Sequence, residues 1–407
     1  MPLPRVSLRS FLSSAKSTLN TSIQQSSPIT FVVGNESADL DSICCAVVLA
    51  YLRTYTAAQS SVLYIPLSNL PRADLALRPE LIPVLSHARL EPKDLVTLSD
   101  ISLSTPISHT IPAENTKWIL VDHNALQGEL SKAYGTRLFG CIDHHDEEGS
   151  VLQDCGAEPR IVQKSGSCSS LVVEYCKEAW DALSKRSNDR ETAAWDAELS
   201  RLALAPILID TTNLTDKHKV TDADIAATKY LESLIMAEPG SRFDRDEYFE
   251  KIASAKNDIR HLGLLDILRK DYKQWTEAGS ATLGISSVVK DIQFLIDKAG
   301  GPVKFFAAMK DFASERKLST FAIMTTSQKD GTFRRELLVW GLDKRAARAA
   351  EKFEIGSKET LGLQQWEEGL LDFQDESQRR RCWWQERVEH SRKQVAPMLR
   401  SYIQDTT

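Results

Sequence analysis

The stretch FGCIDHHDEE, residues 139–148, ends an apolar run with Asp143, His144 and His145, followed by three further acids. The two histidines place two imidazoles at the end of a predicted strand, and imidazole is a common ligand of divalent metals. Taken alone, a histidine pair on a loop is more often solvated than bound to a metal. The stretch gains meaning because other predicted elements also end in aspartates.

Several apolar stretches elsewhere in the chain run directly into aspartates. Residues 29–34 form a β-branched run, and after a short loop a helix is predicted over residues 43–53. Strand, small-residue loop and helix open a doubly wound α/β domain, whose ligands lie at the carboxyl ends of parallel strands. Residues 198–210 form either a helix that runs into this site or a last strand. The aspartates expected at this edge are Asp39, Asp41, Asp122, Asp143 and Asp210.

Carboxylates crowded at one edge repel one another unless cations lie among them. A mixed set of carboxylates and imidazoles suits Mn²⁺, Mg²⁺ or a similar ion. One aspartate could bridge two such ions at the spacing of about 3.5–4 Å found in two-metal hydrolases. The alternative is that Asp39 or Asp41 simply caps the following helix, which accounts for one aspartate but not for two.

Composition limits the classes of function. The 407 residues are enough for two domains with full cores, and the net charge of -6 gives no global basic footprint for nucleic acid. That balance still allows a local basic site for a polyanion. Seven scattered cysteines without a CxxC motif favour a reducing compartment, so we expect a cytoplasmic protein. No apolar run reaches the length of about 18 residues that a membrane span needs.

Residues 1–35 contain no acid and carry Arg5, Arg9 and Lys16 among many serines. This composition is compatible with a mitochondrial transit peptide and hence with a minor mitochondrial pool. The favoured interpretation is an amphipathic helix that packs on the domain, because the first strand begins soon afterwards. Its apolar residues are Val6, Leu8, Phe11, Leu12 and Leu19.

The second half of the chain is more charged. Residues 239–247 predict a linker between a domain at 1–238 and a second domain at 248–407. Strands at 281–289, 318–325 and 336–340 predict a smaller sheet. Residues 344–388 predict a mostly charged helical segment, whose run Arg379, Arg380 and Arg381 is interpreted as a solvated face and, less readily, as a guide for an anionic chain. In the first half, residues 165–170 precede an apolar helix and either receive a phosphate or simply cap that helix.

The motifs together resemble the DHH phosphoesterase superfamily. The matching motifs are Asp39-Leu40-Asp41-Ser42, Asp122-His123-Asn124, Asp143-His144-His145 and Asp210. The second half resembles the associated domain of manganese-dependent inorganic pyrophosphatases and fungal exopolyphosphatases. That likeness depends on Ser391-Arg392-Lys393-Gln394 and, more weakly, on Asp258-Ile259-Arg260.

Asn35 distinguishes between the members of this superfamily that the chain resembles. The pyrophosphatases carry histidine at this place in the first loop, whereas fungal exopolyphosphatases and animal prune proteins carry asparagine. Prune-type chains depart from an intact Asp-His-His, which is complete here, so the chain most resembles a cytosolic-type fungal exopolyphosphatase. Asparagine is a neutral oxygen donor, which implies a more open and Mg²⁺-tolerant first metal site.

This resemblance implies a metal-dependent exopolyphosphatase that hydrolyses the terminal phosphates of inorganic polyphosphate to orthophosphate. The alternatives are an inorganic pyrophosphatase and a prune-like phosphodiesterase or scaffold. The implied fold is α/β: an N-terminal doubly wound, mainly parallel sheet domain plus a smaller C-terminal α/β domain, with the active site in the cleft between them. The expected protein is a monomer that binds polyphosphate and neither nucleic acid nor membrane.

The resemblance also implies a role for each site residue. Two divalent cations, Mn²⁺ or Mg²⁺, are expected, with Asp122 as the bridge. His145 contacts the substrate phosphate or helps to protonate the leaving oxygen, and Asp143 orients a metal-ligand imidazole. The implied metal ligands are Asn35, Asp39, Asp41, Asp122, His144 and Asp210; the implied catalytic residues are Asp122, His144 and His145; the implied phosphate-binding residues are His145, Arg260, Arg392 and Lys393.

Overall fold

Two separately packed units make up the chain, Met1–Asp258 and Ile259–Thr407. The structure is a computed structural model, and it describes residues 3–56, 62–101, 107–186, 190–277 and 281–406. The strands described in the first unit are β1 (Ile29–Val33), β2 (Tyr64–Leu67), β3 (Thr116–Val121), β4 (Leu138–Asp143) and β5 (Arg160–Val162). The helices described there are α1 (Leu8–Gln25), α2 (Leu40–Thr56), α3 (Leu81–His87), α4 (Ile107–Thr110), α5 (Gly128–Tyr134), α6 (Cys168–Ser184), α7 (Arg190–Asp210), α8 (Asp222–Met236) and α9 (Arg245–Asn257).

The first unit is built on a parallel sheet with the strand order β2-β1-β3-β4-β5. Successive residues of a strand point to opposite faces, and both faces are buried here. Val32 and Ile119 contribute to the core on one face, whereas Phe31 and Leu120 contribute to the core on the other. This confirms the predicted doubly wound parallel sheet. It also places the carboxyl ends of β1, β3 and β4 side by side at one edge.

The N-terminal segment forms the predicted amphipathic helix. Ser7 caps α1 by accepting a hydrogen bond from the amide of Ser10, and the apolar face of α1 is fully buried. Phe11 packs edge-on against Tyr51, with the ring centroids 5.3 Å apart. The segment is therefore part of the core of the first unit.

Residues 198–210 belong to α7, so the helical alternative is correct and the strand alternative is wrong. Asp210 is the last residue of that helix. It therefore comes to the site from a helix terminus, while Asp122 and Asp143 come from strand ends.

The predicted linker at residues 239–247 lies inside the first unit. Asp244 caps α9 by accepting a hydrogen bond from the amide of Glu247, and Tyr248 and Ile252 of α9 are buried in the core of that unit. The division between the units falls after Asp258.

The second unit contains a mixed sheet with the strand order β12-β14-β11-β8-β7-β6. The pair β7 and β8 is parallel and the other pairs along this path are antiparallel. Its described strands are β6 (Tyr272–Thr276), β7 (Thr282–Val288), β8 (Thr320–Thr325), β9 (Ser327–Lys329), β10 (Thr332–Arg334), β11 (Glu336–Gly341), β12 (Leu363–Gln365), β13 (Phe373–Gln374) and β14 (Arg379–Gln385). Its described helices are α10 (Leu264–Lys270), α11 (Ile292–Ala299), α12 (Pro302–Glu315), α13 (Lys344–Leu361) and α14 (Arg392–Gln404).

The prediction of a mostly helical segment over residues 344–388 is wrong beyond α13. Gly362, in the left-handed conformation with φ +61°, ends that helix, and β12, β13 and β14 follow. The three arginines 379–381 start β14 and are only partly exposed. Cross-strand pairing with β11 and burial of Cys382 and Trp383 outweigh the charge pattern that favoured a helix.

The arginine run is internally neutralised. Arg379 donates to Glu354 at 2.6 Å, and Arg381 lies 3.8 Å from the same carboxylate. Arg380, on the alternate face, stacks on Phe306 with its guanidinium carbon 3.3 Å from the ring centroid and on Trp340 at 4.9 Å. Burial lowers the pKa of Arg380 to about 10. The prediction of a solvated face is therefore wrong, and the role of a guide for an anionic chain stays a prediction.

Over the parts of the chain that the structure describes, none of the helices combines the length and the apolar character that a bilayer crossing requires.

Candidate metal centre

The loop between β1 and α2 carries the first aspartates of the site. Gly34 lets the chain turn against α2, because a Cβ at this position would come within 2.5 Å of the Ser42 Cβ. Ala38 takes a left-handed conformation with φ +42°. Asp39 Oδ1 then accepts a hydrogen bond from the Ser42 amide at 3.0 Å. The predicted helix-capping alternative is thus correct for Asp39.

Asp122 lies at the centre of the candidate site. It follows β3 with a left-handed φ of +61°, and its side chain is 3% exposed. Its Oδ2 accepts hydrogen bonds from Asn35 Nδ2 and from Ser42 Oγ, both at 2.7 Å. Its Oδ1 lies 3.2 Å from Nε2 of His144. A non-glycine residue in this conformation is strained, and such strain concentrates at functional sites.

The two histidines after β4 are oriented by different acceptors. His144 Nδ1 lies 3.0 Å from the carbonyl oxygen of Ser165, which sets the proton on Nδ1 and turns Nε2 towards Asp122. His145 Nδ1 lies 2.8 Å from Asp143 Oδ1. Asp143 therefore orients the ring of His145, whereas the predicted ligand imidazole, His144, is oriented by Ser165.

Asp143 is a fully buried carboxylate. Burial by itself would raise its pKa, but the hydrogen bond and charge of His145 and the donation from Asn124 outweigh burial, and the pKa falls below its ordinary value. Asn124 donates to Asp143 Oδ2 at 2.6 Å. Asp143 is therefore held as an anion that fixes its neighbours.

One group of metal-binding atoms stands out within the described residues. The ligand atoms of Asp122, His144 and His145 all lie within 4.8 Å of one another. The two imidazole rings are nearly perpendicular, with centroids 4.6 Å apart. His145 was assigned to the substrate rather than to an ion, and its Nδ1 is engaged by Asp143.

Asp41 faces the N-terminus of α6. Its Oδ2 accepts from the Cys168 amide at 2.7 Å and its Oδ1 from the Ser169 amide at 3.0 Å, where the helix dipole favours a negative charge. Burial raises the pKa of Asp41 well above its ordinary value, and the charges of Asp122 and Asp210 raise it further. The same effect shows that these carboxylates are close enough to interact.

The loop at residues 166–169 gives its amides to carboxylates. Gly166 and Ser167 donate to Asp224 at 2.9 and 3.2 Å, while Cys168 and Ser169 donate to Asp41. These contacts support the capping alternative for this loop rather than the phosphate alternative.

Asp210 is followed by strained backbone. Thr212, Asn213 and Leu214 all have left-handed φ angles, of 51°, 53° and 63°. The turn is held by the Thr215 and Asp216 amides, which donate to the carbonyl oxygen of Thr211 at 3.1 Å. Since non-glycine residues avoid this conformation, the turn after Asp210 resembles Ala38 and Asp122 in placing strain beside a predicted ligand.

Asn35 contacts Asp122 through its amide nitrogen. Besides the bond to Oδ2, Nδ2 donates to the Asp122 carbonyl oxygen at 3.1 Å, while Asn35 Oδ1 accepts from the amide and the hydroxyl of Ser37. His123, in contrast, is buried, and its Nδ1 lies 2.9 Å from the carbonyl oxygen of Val121. That contact directs the ring back towards the end of β3.

The residues fit a divalent cation. Carboxylates and one correctly oriented imidazole are gathered where burial and mutual repulsion disfavour leaving them all charged and uncompensated. Oxygen and imidazole donors without a thiolate suit Mn²⁺ or Mg²⁺.

The second unit carries the predicted basic motif at the start of α14. Ser391 and Gln394 form a reciprocal capping box at the start of α14. The presence of these two motif residues is therefore explained by the capping of the helix. Arg392 pairs with Asp271, whose Oδ1 lies 2.7 Å from Nη2 and whose carbonyl oxygen accepts from Nη1 at 3.1 Å. Lys393 is the next residue of that helix.

Arg260 is the second residue of the second unit. Its carbonyl oxygen accepts a hydrogen bond from Lys298 Nζ at 3.0 Å. Ile259 beside it is buried at 1% exposure.

Sequence reasoning missed several residues that hold the site. Ser42 and Asn124 stood within quoted motifs without a role, although both donate to site carboxylates. Asp224 and Arg78 carry no sequence signal, because they reach the site loops from distant positions in the chain.

Two domain families match the chain. Residues 29–207 match the DHH family, N-terminal domain, and residues 250–402 match the DHHA2 domain. A Schizosaccharomyces pombe protein named "Putative exopolyphosphatase" is 34% identical over 384 residues, which cover 94% of this chain and 93% of that protein. "Exopolyphosphatase PRUNE1" of Rattus norvegicus is 28% identical over 278 residues, 68% of this chain and 56% of that protein.

One solved structure has the same fold. The crystal structure described as a "putative family II inorganic pyrophosphatase" of Methanococcus jannaschii aligns with a TM-score of 0.60 at 22% identity. The alignment covers 92% of this chain and 99% of that one. At this level of identity the likeness concerns the fold alone.

Proposed function

Because this chain belongs to the DHH phosphoesterase family, we propose that it is an exopolyphosphatase, which releases orthophosphate from the ends of inorganic polyphosphate. The observation that carries the proposal is the buried contact of Asp122 Oδ1 with His144 Nε2 at 3.2 Å, among carboxylates that raise the pKa of Asp41. The 34% identical relative named for this activity spans nearly the whole chain.

The cofactor is proposed to be two divalent cations, Mn²⁺ or Mg²⁺. The residues that would hold them are Asp39, Asp41, Asp122, His144 and Asp210. Asn35 would support them by fixing Asp122 through its amide nitrogen, because its Oδ1 already accepts from Ser37. Such cations, when bound, polarise phosphoryl oxygens and lower the pKa of water.

The protein groups prepare this site in advance. Asn35 and Ser42 fix the Asp122 carboxylate, and Ser165 fixes the ring of His144. Because these contacts already exist, a cation meets ligands that need little rearrangement.

His145 is proposed to act on the substrate. The Asp143 carboxylate accepts a hydrogen bond from Nδ1–H of His145 and stabilises the protonated imidazole. Nε2 of His145 can then donate a hydrogen bond or a proton to the phosphoryl oxygen that leaves. The residues proposed to bind the negative oxygens of the phosphate chain are Arg392, Lys393 and Arg260, since arginine binds phosphate oxygens in pairs.

Inorganic pyrophosphatase activity is the second candidate. The resemblance of the second half to the associated domain of manganese-dependent inorganic pyrophosphatases, through Ser391-Arg392-Lys393-Gln394, supports it. Asn35 stands where the pyrophosphatases have histidine, which favours the exopolyphosphatase. We further propose a catalytic domain and a substrate-binding domain that correspond to the two units, Met1–Asp258 and Ile259–Thr407, rather than to a division at the predicted linker. The protein is proposed to be a cytoplasmic monomer that does not require nucleic acid or membrane.

One assay separates these functions. The purified full-length protein is given polyphosphate, pyrophosphate or a cyclic nucleotide with Mn²⁺ or Mg²⁺, and orthophosphate release is measured, with a cyclic nucleotide scored by its linear product. We expect polyphosphate to be hydrolysed fastest and chelation by EDTA to stop the reaction. Faster release from pyrophosphate would support the pyrophosphatase, and turnover of none of the three would contradict enzymatic function and favour the scaffold alternative.

A further inference from the structure

Arg78 reaches the loop of the predicted metal ligands from outside every motif. It follows a short 3₁₀ helix, Arg72–Leu77, and it is only 4% exposed. Its Nε donates to the carbonyl oxygen of Ala38 at 3.0 Å, and its Nη2 donates to the carbonyl oxygen of Ser37. Two successive carbonyls of the loop are therefore held by one guanidinium.

The two carbonyl groups bound by Arg78 lie directly before the predicted metal ligand Asp39. The Ala38 carbonyl belongs to the peptide bond that leads into Asp39, and Ala38 has the strained φ of +42°. A left-handed non-glycine residue persists only where its surroundings fix it. The fork of Arg78 supplies such a constraint directly beside the first predicted ligand.

The choice of an arginine here is also informative. A buried charge is costly unless it is fully hydrogen-bonded, and a neutral amide suffices at the neighbouring carbonyl of Gly34, which accepts from Asn69 Nδ2 at 3.1 Å. What arginine adds is a rigid two-point fork and a positive charge. Both are useful in a loop that carries Asp39 and Asp41 into a group of carboxylates.

We propose that Arg78 is a positioning residue of the metal centre. Its guanidinium holds residues 37–39 so that Asp39 is placed for a divalent cation. The inference rests on the metal site of the proposed function and adds a residue that acts only through Asp39.

The test is calorimetric titration of the metal-free, full-length protein with Mn²⁺ alone, without polyphosphate. Arg78→Met removes the fork and the charge, and Arg78→Lys keeps only the charge. We expect the dissociation constant of Mn²⁺ to rise about 10-fold or more for Arg78→Met, and less for Arg78→Lys. Circular dichroism and melting in EDTA establish that each variant is folded.

Arg5→Lys is the matched control. Arg5 is another arginine of the same unit with little exposure, its side chain being 9% exposed, and it pairs with Asp196 at 2.5 Å and donates to Tyr51 at 3.1 Å. Tyr51 lies ten residues after Asp41 on α2, roughly 15 Å along the helix. Arg5→Lys should lower the melting temperature and leave Mn²⁺ affinity unchanged.

Three results overturn the inference. They are wild-type Mn²⁺ affinity in a folded Arg78→Met variant, an equal loss of affinity in Arg5→Lys, or failure of both Arg78 variants to fold, which would make Arg78 a general structural residue. If the wild-type protein binds Mn²⁺ yet releases no phosphate from polyphosphate, the proposed function fails while the role of Arg78 stands.

Discussion

The acidic centre of the first unit and the basic motif of the second unit differ in how they are held. The Asp122 side chain is 3% exposed and meets Asn35, Ser42 and His144. Arg392 and its partner Asp271 are 16% and 40% exposed. Removing one member of a buried charged set leaves uncompensated groups, whereas water replaces much of an exposed pair. The centre should therefore be sensitive to single-atom changes, and the basic motif should be tolerant.

The largest effect is expected at Asp122. Asp122→Asn removes the charge from the central carboxylate while preserving its shape, so phosphate release should fall by at least about 10³-fold. Asp196→Asn is the control, because Asp196 is also buried in the first unit, where it accepts from Trp180 and pairs with Arg5. Asp196→Asn should reduce stability and keep activity. Comparable activity of wild type and Asp122→Asn would contradict the expectation that the acidic centre is the more sensitive of the two regions.

A smaller effect is expected at His145. His145→Gln removes the proposed proton donor, and general acid catalysis typically contributes about 10²- to 10⁴-fold, so kcat should fall within that range. Mn²⁺ affinity measured by calorimetry should change little, since His145 is assigned to the substrate. A large loss of Mn²⁺ affinity with an unchanged kcat at saturating metal would instead make His145 a metal ligand.

Loss of the ion pair between Asp271 and Arg392 should have only a small effect on the hydrolysis of polyphosphate. Asp271→Asn frees Arg392 from a partly exposed ion pair, and such pairs near the surface are worth about 0–1 kcal/mol, so KM for polyphosphate should change by no more than about fivefold and kcat should stay constant. Steady-state kinetics at several chain lengths measure this. A hundredfold change would show that the motif is as tightly organised as the acidic centre.

Arg380 should affect stability without affecting activity. Arg380→Lys loses the planar stacking on Phe306 and Trp340, and about 1–2 kcal/mol of unfolding free energy should be lost in urea titrations. Polyphosphate kinetics should remain those of wild type. A raised KM without a stability loss would return the arginine run to the role of a guide for the anionic chain.

The sheet could be predicted from the sequence because it follows local patterns, and the candidate ligands follow such patterns too. β1 and β3 are short apolar runs with both faces buried, and Asp122 follows β3 directly. The contacts that orient the ligands could not be predicted, because they join distant residues: His144 to Ser165, and Arg78 to the loop of Asp39. β14 was not predicted because its three arginines give the segment a charged pattern that favours a helix. The strand is stabilised by pairing with β11, which is distant in the sequence.

The proposed function depends on divalent cations held by the aspartates and His144 of the first unit. Anomalous diffraction from crystals soaked in Mn²⁺ tests these sites most directly. We expect anomalous peaks beside the carboxylate of Asp122, one of them in contact with Nε2 of His144. Crystals of active protein that bind Mn²⁺ elsewhere, with no peak at Asp122, would contradict it.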